Sequence, residues 1–518
     1  MAKTTSSYVV FSGGSACNHI LDGFHKTSSH DVSYILGISD NGGSTSELLR
    51  VLGGPSVGDL RSRLIRLMDI LDDETTVSIE MKAIKNLLSY RLSADKDLQK
   101  VRDEWALIVE GRHSLWNDIS IEKKEAIRGF LTLFDFEILK RAHKRFNFCN
   151  GSVGNFFLTG ARLFTGSLEA AIFLFASITG ITSVPTSVVP VINTNQTATI
   201  AAALSNGETL VGQCEISHPS PFQQKRKSGT CTPRKKRMNP IDAFSYFEDP
   251  VNITSESKAV DNANLFFSKH IDEKLTSPID RIYYINDYGQ EIYPVPNPKV
   301  VSQLSSKNTL VYSIGSLYTS LIPCLVLRGV GNAIVQSQSL RHKILLLNGS
   351  NDRETSDYTA IDFINAIASA LSESQRIDAR RAFYQSCDDE DEEGEDDDDN
   401  DCYDLGSRTS SIASTVIQTP PSSYSLNNQL SSMAIGSMPA SPSHRYPPFP
   451  NNSFYPSPAS SFITHMVYLD NSAIKVDTAT IERLGIKCVC VKGALNSSGE
   501  PIYDQELFTQ AIESIVHI

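Results

Sequence analysis

The stretch "SYILGISDNGGSTSELLRVLGG", residues 33 to 54, constrains the fold of this chain more than any other. Tyr34 to Ile38 is apolar and partly β-branched, Gly42 and Gly43 follow, and Leu48, Leu49 and Leu52 then recur at helical spacing. In isolation Asn41-Gly42 reads as a tight hairpin turn. A hairpin requires a second alternating strand, and none follows. Instead Ser44 and Glu47 stand in the Ser-x-x-Glu arrangement that caps a helix start. The stretch therefore reads strand, glycine loop, helix, which is half of a βαβ unit.

The same grammar opens the chain. In "SYVVFSGGSACNHILDGF", residues 7 to 24, Tyr8 to Phe11 is a short apolar strand, Gly13 and Gly14 permit a sharp turn, and Ile20, Leu21 and Phe24 supply a helix face. Two such loops facing one crevice make an anion site, because a helix N-terminus carries free N–H groups and about half a positive charge. For either loop alone, close packing of helix on strand remains an equally open use of the glycines.

The 518 residues carry a formal charge of -12, but residues 388 to 401, "DDEDEEGEDDDDND", hold twelve carboxylates and no base. The remainder is near neutral, so charge points to no nucleic-acid-binding face. The N-terminus lacks the basic and apolar regions of a signal peptide. Leu168 to Ile181, the most apolar helical stretch, is interrupted by Glu169 and is shorter than the roughly 18 residues of a membrane span. The expectation is a cytoplasmic protein without membrane partners. Nine unevenly spaced cysteines fit reduced thiols. Cys488 and Cys490 lie in a strand-like segment with no nearby ligand partner, which favours strand thiols over a metal site.

Composition divides the chain into blocks. Residues 1–218 form a first α/β part, within which 71–145 is a charged helical insertion containing Trp105 and Trp116, placed to cover the crevice. "GSVGNFFLTGARLFTGSLEAAIFLFASI" then supplies one or two buried helices. Asn206-Gly207 is an ordinary hairpin turn before a strand over Thr209 to Ile216. Residues 219–279 form a flexible insert whose "KRKSGTCTPRKKR" is read first as a solvated basic loop, with nuclear import left open, and holds a plausible proline-directed phosphorylation site at Thr232. The α/β pattern resumes over 280–372, with an amphipathic helix carrying Ile361, Ile364, Ile367 and Leu371. Residues 373–458, acidic and then Ser/Pro-rich, have too little apolar surface to offset ordering entropy and are expected to be disordered. Residues 459–518 return to strand and helix. The fold class is α/β, a Rossmann-like, mostly parallel sheet with helices on both faces, one helical insertion and disordered inserts.

"VFSGGS", "ISDNGGSTSELLRVLGGPSVGDLRSRL", "GSVGNFFLTG", "GSLYTSLIP" and "NGSNDRETSDYTAIDFI" occur in an order that resembles the 2-phospho-L-lactate transferase family and its bacterial gluconeogenesis-factor relatives. The inserts resemble those of a eukaryote-type member. The resemblance implies a nucleotide or nucleotide-sugar in the crevice at the strand ends, in keeping with the rule for open α/β sheets. It implies that Gly13, Gly14 and Ser15 contact diphosphate through backbone N–H groups, that Asp40, Asn41, Gly42 and Gly43 form the second wall, and that Asn155 points into the site. Gly315, Ser316, Tyr318 and Ser320 would complete the phosphate end, with Asn348, Glu354 and Thr355 nearby. The first loop departs from the family in reading Ser15-Ala16-Cys17-Asn18-His19, and the fourth motif in reading Ser313-Ile314-Gly315-Ser316, so the ligand or its affinity is expected to differ.

Asp40 is the candidate catalytic and metal-binding residue, since a carboxylate can hold a Mg2+ ion that bridges phosphates; the competing reading is that it simply caps its own turn. Asn41 and Asn155 each offer a donor and an acceptor for a base edge or a sugar hydroxyl. Asp59 reads as an N-cap, and Arg61 and Arg63 as either phosphate partners or salt-bridged residues. The resemblance leaves three functions in competition. The first is a regulatory protein that binds a nucleotide or UDP-sugar. The second is a transferase, in which an acceptor hydroxyl attacks a lactyl-diphospho-guanosine donor and expels GMP. The third is a scaffold acting through protein partners or kinases at the inserts. A homodimer is left open.

Overall fold

A computed structural model describes residues 6–28, 31–70, 79–141, 143–181, 185–217, 274–392, 449–450 and 454–517. The basic segment with Thr232, the acidic run beyond residue 392 and most of the Ser/Pro tract lie outside the described residues. Met1–Asp378 and Pro456–Ile518 form one compact unit, and Ala379–Tyr455 form another. The crevice and the cavity described below lie within the first unit.

The first two strand–glycine–helix units fold as read. β1 (Tyr8–Ser12) is followed by α1 (Leu21–Ser28), and β2 (Val32–Leu36) by α2 (Ser44–Leu52). Every residue of β1 and β2 is buried, as strands covered by helices on both faces require. Next come α3 (Gly58–Ile70), α4 (Ile79–Ser89), α5 (Leu98–Val109), α6 (Ile121–Leu139), α7 (Val153–Thr165) and α8 (Leu168–Ile178), then β3 (Thr186–Pro190). The helical insertion thus supplies α4, α5 and α6. It is anchored by an aromatic cluster in which Trp105 stacks on Phe148 at 5.4 Å and meets Phe134 and Phe156 edge-on at 5.9 and 5.0 Å. Gly160 lets α7 approach α6 until a Cβ would collide with the Phe130 carbonyl oxygen.

β4 (Thr199–Leu204) and β5 (Thr209–Val211) pair antiparallel across the Asn206-Gly207 turn, where Gly207 has φ 85°. The strand expected over Thr209 to Ile216 stops at Val211. Gly212, at φ 86°, breaks it, and Gln213–Ser217 is a short helix whose Cys214 amide donates to Asn41 Oδ1. β6 (Ile279–Ile285) and β7 (Glu291–Ile292) complete a small antiparallel sheet of order β5-β4-β6-β7.

β8 (Thr309–Tyr312), β9 (His342–Leu346), β10 (His465–Leu469) and β11 (Lys487–Val491) return the chain to the main sheet, so Cys488 and Cys490 are strand residues. That seven-stranded sheet is parallel throughout, with order β11-β10-β9-β8-β1-β2-β3. Beyond it, the hairpin of β12 (Gly493–Leu495) and β13 (Pro501–Tyr503) leads to the helix Gln505–Val516. Phe508 of this helix packs edge-on against Phe24 of α1 at 5.3 Å, which ties the last block of sequence to the first.

The helix expected to carry Ile361 to Leu371 runs from Ala360 to Glu392. Its continuation past residue 373 is held by buried polar contacts. Ser374 Oγ accepts from Gly331 N at 3.0 Å and donates to the Leu327 carbonyl at 2.5 Å, while Asn332 donates to Asp378 at 2.7 Å. Among the described residues no single helix is long and apolar enough to cross a membrane.

Candidate functional site

The chain leaves β1 toward β2 and β3 on one side and later re-enters the sheet at β8 on the other. The order therefore reverses between β1 and β8, and the loops beyond their carboxyl ends diverge around a crevice where open α/β sheets bind ligands. Gly13 and Gly14 leave β1 here, and Ser313 to Ser316 leave β8. The two loops touch: a Cβ on Gly13 would lie 2.7 Å from Ser320 Oγ. A Cβ on Gly14 would lie 2.6 Å from Asp59 Cα, so Gly14 sits against the first turn of α3. At Gly14 the close neighbour is backbone, whereas at Gly13 it is the Ser320 side chain. Ser15 is exposed at the start of a 3-10 turn, Ala16–His19, with no side-chain cap.

The second wall follows β2. Asp40 Oδ1 accepts from Gly42 N at 3.0 Å, an Asx turn, and its Oδ2 lies 3.5 Å from the position of a Cβ on Gly58, at the head of α3. Asn41 Oδ1 accepts from Cys214 N at 2.9 Å. Gly43, at φ 53°, precedes α2 without a side-chain cap. The Ser-x-x-Glu capping box does not form. Glu47 turns instead to Arg50, at 2.7 and 2.6 Å, and to the Asn147 amide at 2.6 Å, and Ser44 Oγ accepts from Asn155 Nδ2 at 2.9 Å. Tertiary partners outcompete the local cap, so α2 starts at the crevice without a side-chain cap, while its Thr45 and Ser46 amides turn back to the Gly42 and Gly43 carbonyls at 3.2 Å.

Asn155 is buried near the start of α7, and Arg61 Nε donates to its Oδ1 at 3.3 Å. Both ends of this amide thus brace one wall to another. The N-cap of α7, Ser152, makes no side-chain cap bond, and its buried Oγ has no hydrogen-bond partner among the described residues. Burial first, and then the charge of Arg91, push Arg61 down to about 10. Arg63 is fully buried beneath the first loop. It donates to Ser12 Oγ at 3.0 Å and to the Gly13 carbonyl at 2.9 Å, and its guanidinium lies 4.7 Å from the Tyr34 ring centroid. Its Nε and Nη1 have no hydrogen-bond partner among the described residues, so it is a positive charge with donors in excess of its acceptors.

The third wall follows β8 and β9. Gly315, at φ 141°, is clamped by Asn348, which accepts from its N–H at 3.1 Å and donates to its carbonyl at 2.9 Å. Ser316 precedes the π-helical turn Leu317–Leu321 without capping it through its own side chain. Glu354 takes that role from a distance: it accepts from the amides of Tyr318 at 2.9 Å and Thr319 at 3.1 Å, from Thr319 Oγ1 at 2.6 Å, and from Ser217 Oγ. Thr355 completes a capping box with Asp352. Asn348, Glu354 and Thr355 therefore hold loops in place. Ser217, Thr319, Ser44 and Arg63 join the site as partners that motif reading missed or left undecided, although Ser44 and Thr319 stand inside the quoted motifs.

The family model described as "2-phospho-L-lactate transferase CofD" matches residues 8–399. An uncharacterized protein of Saccharomyces cerevisiae is 42% identical over 387 residues, 71% of this chain and 83% of that protein. A Nostoc protein named "Putative gluconeogenesis factor" is 36% identical over 86 residues, 17% of this chain and 19% of that protein. A crystal structure of a Bacillus halodurans protein matches with TM-score 0.51 at 15% identity, covering 98% of this chain and 99% of that one. A second structure of that protein is titled a member of the UPF0052 family. The structural likeness supports the fold alone. The family match spans every loop around the crevice, from Gly13 to Thr355, and the chain belongs to the 2-phospho-L-lactate transferase CofD family.

Proposed function

We propose that the chain binds a nucleotide or nucleotide-sugar in the crevice between β1 and β8 and acts as a regulatory binding protein of the gluconeogenesis-factor type. One observation carries the reading. The 3-10 turn after Gly14 and α2 after Gly43 begin beside this crevice without side-chain caps. Helix starts without side-chain caps offer their remaining N–H donors and partial positive charge to an anion. Diphosphate would lie against Gly13, Gly14 and Ser15, with Gly42, Gly43, Ser316 and Ser320 around it and the Arg63 charge behind the first loop. Mg2+, where a ligand brings it, would take Asp40 as its protein oxygen and phosphate oxygens for the rest.

Binding is favoured over turnover by what the other polar side chains do. Asn155, Asn348, Glu354 and Thr355 are each committed to hydrogen bonds that position loops. A thermal-shift screen of UDP-sugars, GDP and GTP, with and without magnesium, tests the reading. A ligand at 100 times its Kd should stabilise the fold by about 2.7 kcal/mol. No shift with any of them on folded protein overturns it. Turnover of a guanosine diphospho-donor, lost in Asp40→Asn, would instead select the transferase.

A further inference from the structure

A cavity of about 620 Å³ lies outside the crevice, between the small antiparallel sheet and the helix Ala360–Glu392. Its lining includes apolar residues such as Ile282, Ile322 and Val326, and the rings of Tyr283, Tyr293, Tyr318 and Tyr358. Tyr318 and Tyr358 meet edge-on at 6.2 Å, with their hydroxyls 2.8 Å apart. The volume is that of a small-molecule site, for which about 300–1,000 Å³ is usual.

The charges around it are unequally matched. Arg281 forks onto Glu291 at 2.7 and 2.8 Å, and Arg376 onto Glu373 at 2.6 and 2.7 Å. Asp362 accepts from the amide and hydroxyl of Thr359, both at 2.7 Å, and Asp280 is exposed to solvent. Arg328 also lines the cavity, is half-buried, and has no hydrogen-bond or ion-pair partner among the described residues. Asn365 and Ser369, one helical turn apart, add neutral donors and acceptors on the same lining.

We infer that this cavity is a second ligand site, one that takes a flat-ring organic anion. Its ring lies among Tyr283, Tyr318 and Tyr358, its anionic group meets Arg328, and its polar edge meets Asn365 and Ser369. Aromatic walls suit a planar ring, and a guanidinium suits a carboxylate, sulfonate or phosphate group. The glycine loops of the crevice do not line the cavity. Tyr318 is the link between the two: its ring forms a cavity wall, while its amide is held by Glu354 at the phosphate end. The inference stands whether or not the crevice takes a nucleotide.

The test titrates the full chain with 1-anilinonaphthalene-8-sulfonate and with its neutral analogue N-phenyl-1-naphthylamine, followed by fluorescence. Wild type should show one saturable site for each. Arg328→Gln should weaken the sulfonate about tenfold, the scale of one charge-assisted bond, and leave the neutral amine unchanged, with Arg328→Lys restoring part of the loss. Ser369→Trp, at an exposed helical position, should abolish both while preserving circular dichroism and Tm; Asn365→Trp serves if that variant does not fold. The absence of saturable binding to wild type, or equal affinities in wild type and the tryptophan variant, overturns the inference. The nucleotide thermal shift, measured on wild type, fails or succeeds separately.

Discussion

Glu354 caps the turn that begins at Leu317 by accepting both the amide and the hydroxyl of Thr319, across 35 positions of sequence. Burial first, and then the charge of Asp352, push this carboxyl from its ordinary 4.5 up to about 7. The unfolded chain loses the proton near 4.5 and the folded chain near 7, so between these values the folded state binds more protons and stability falls as pH rises. Above the folded value the dependence flattens. Urea midpoints from about pH 5 to about pH 8 should decline in wild type and decline less in Glu354→Gln. A wild-type decline no greater than that of the glutamine variant would refute this role.

Gly14 presses on the head of α3, and an added Cβ would meet backbone there. Gly14→Ala should cost more than the control below, about 2–3 kcal/mol, because the helix start must shift. Gly166, at φ 66° with open space around it, is the control, and Gly166→Ala should cost about 1 kcal/mol from backbone strain alone. Chemical denaturation of the two variants checks the difference, and equal losses would contradict the close approach.

Asn155 bridges Ser44 and Arg61. Asn155→Ala should lose about 1–3 kcal/mol, since buried polar partners are stranded. Asn155→Asp should lose less: its carboxylate still accepts from Arg61, and the Ser44 hydroxyl can rotate to donate. The reverse ranking of unfolding free energies would show that the bridge does not hold the walls.

Trp105 is buried, anchors the insertion through its rings and donates from Nε1 to Asp135 at 2.9 Å. Trp105→Ala should cost about 3–5 kcal/mol. A loss below about 1 kcal/mol in equilibrium unfolding would mean that the insertion is not part of the cooperative core.

The glycine loops after β1 and β2 were legible because strand, turn and helix lie within one short window of sequence, whereas β3 over Thr186–Pro190 has no such signature beside it. What local pattern could not supply was the meeting of distant residues. Glu47 has a good capping-box position, yet Arg50 and the Asn147 backbone claim it, and Asn147 is 100 residues away. Asn155 offers a donor and an acceptor to a ligand, but only the fold shows that α2 and α3 each engage one end of its amide. Thr209 to Ile216 alternates like a strand, but Gly212 turns it into a helix start fixed by Asn41. The cavity at Arg328 had no signature of its own, because its lining joins β6 and β7 to residues of two separate motifs, Tyr318 and Ile322 in one and Tyr358 and Asp362 in the other.

The central claim is that a phosphate-bearing ligand sits where β1 and β8 part. Hydrogen–deuterium exchange, on the full chain with and without a saturating UDP-sugar, GDP or GTP plus magnesium, reads it residue by residue. The account predicts slowed exchange at Gly13 to Ser15, at Gly42 to Ser46 and at Gly315 to Ser316. Protection confined to other segments, or none with any of these ligands, would contradict it.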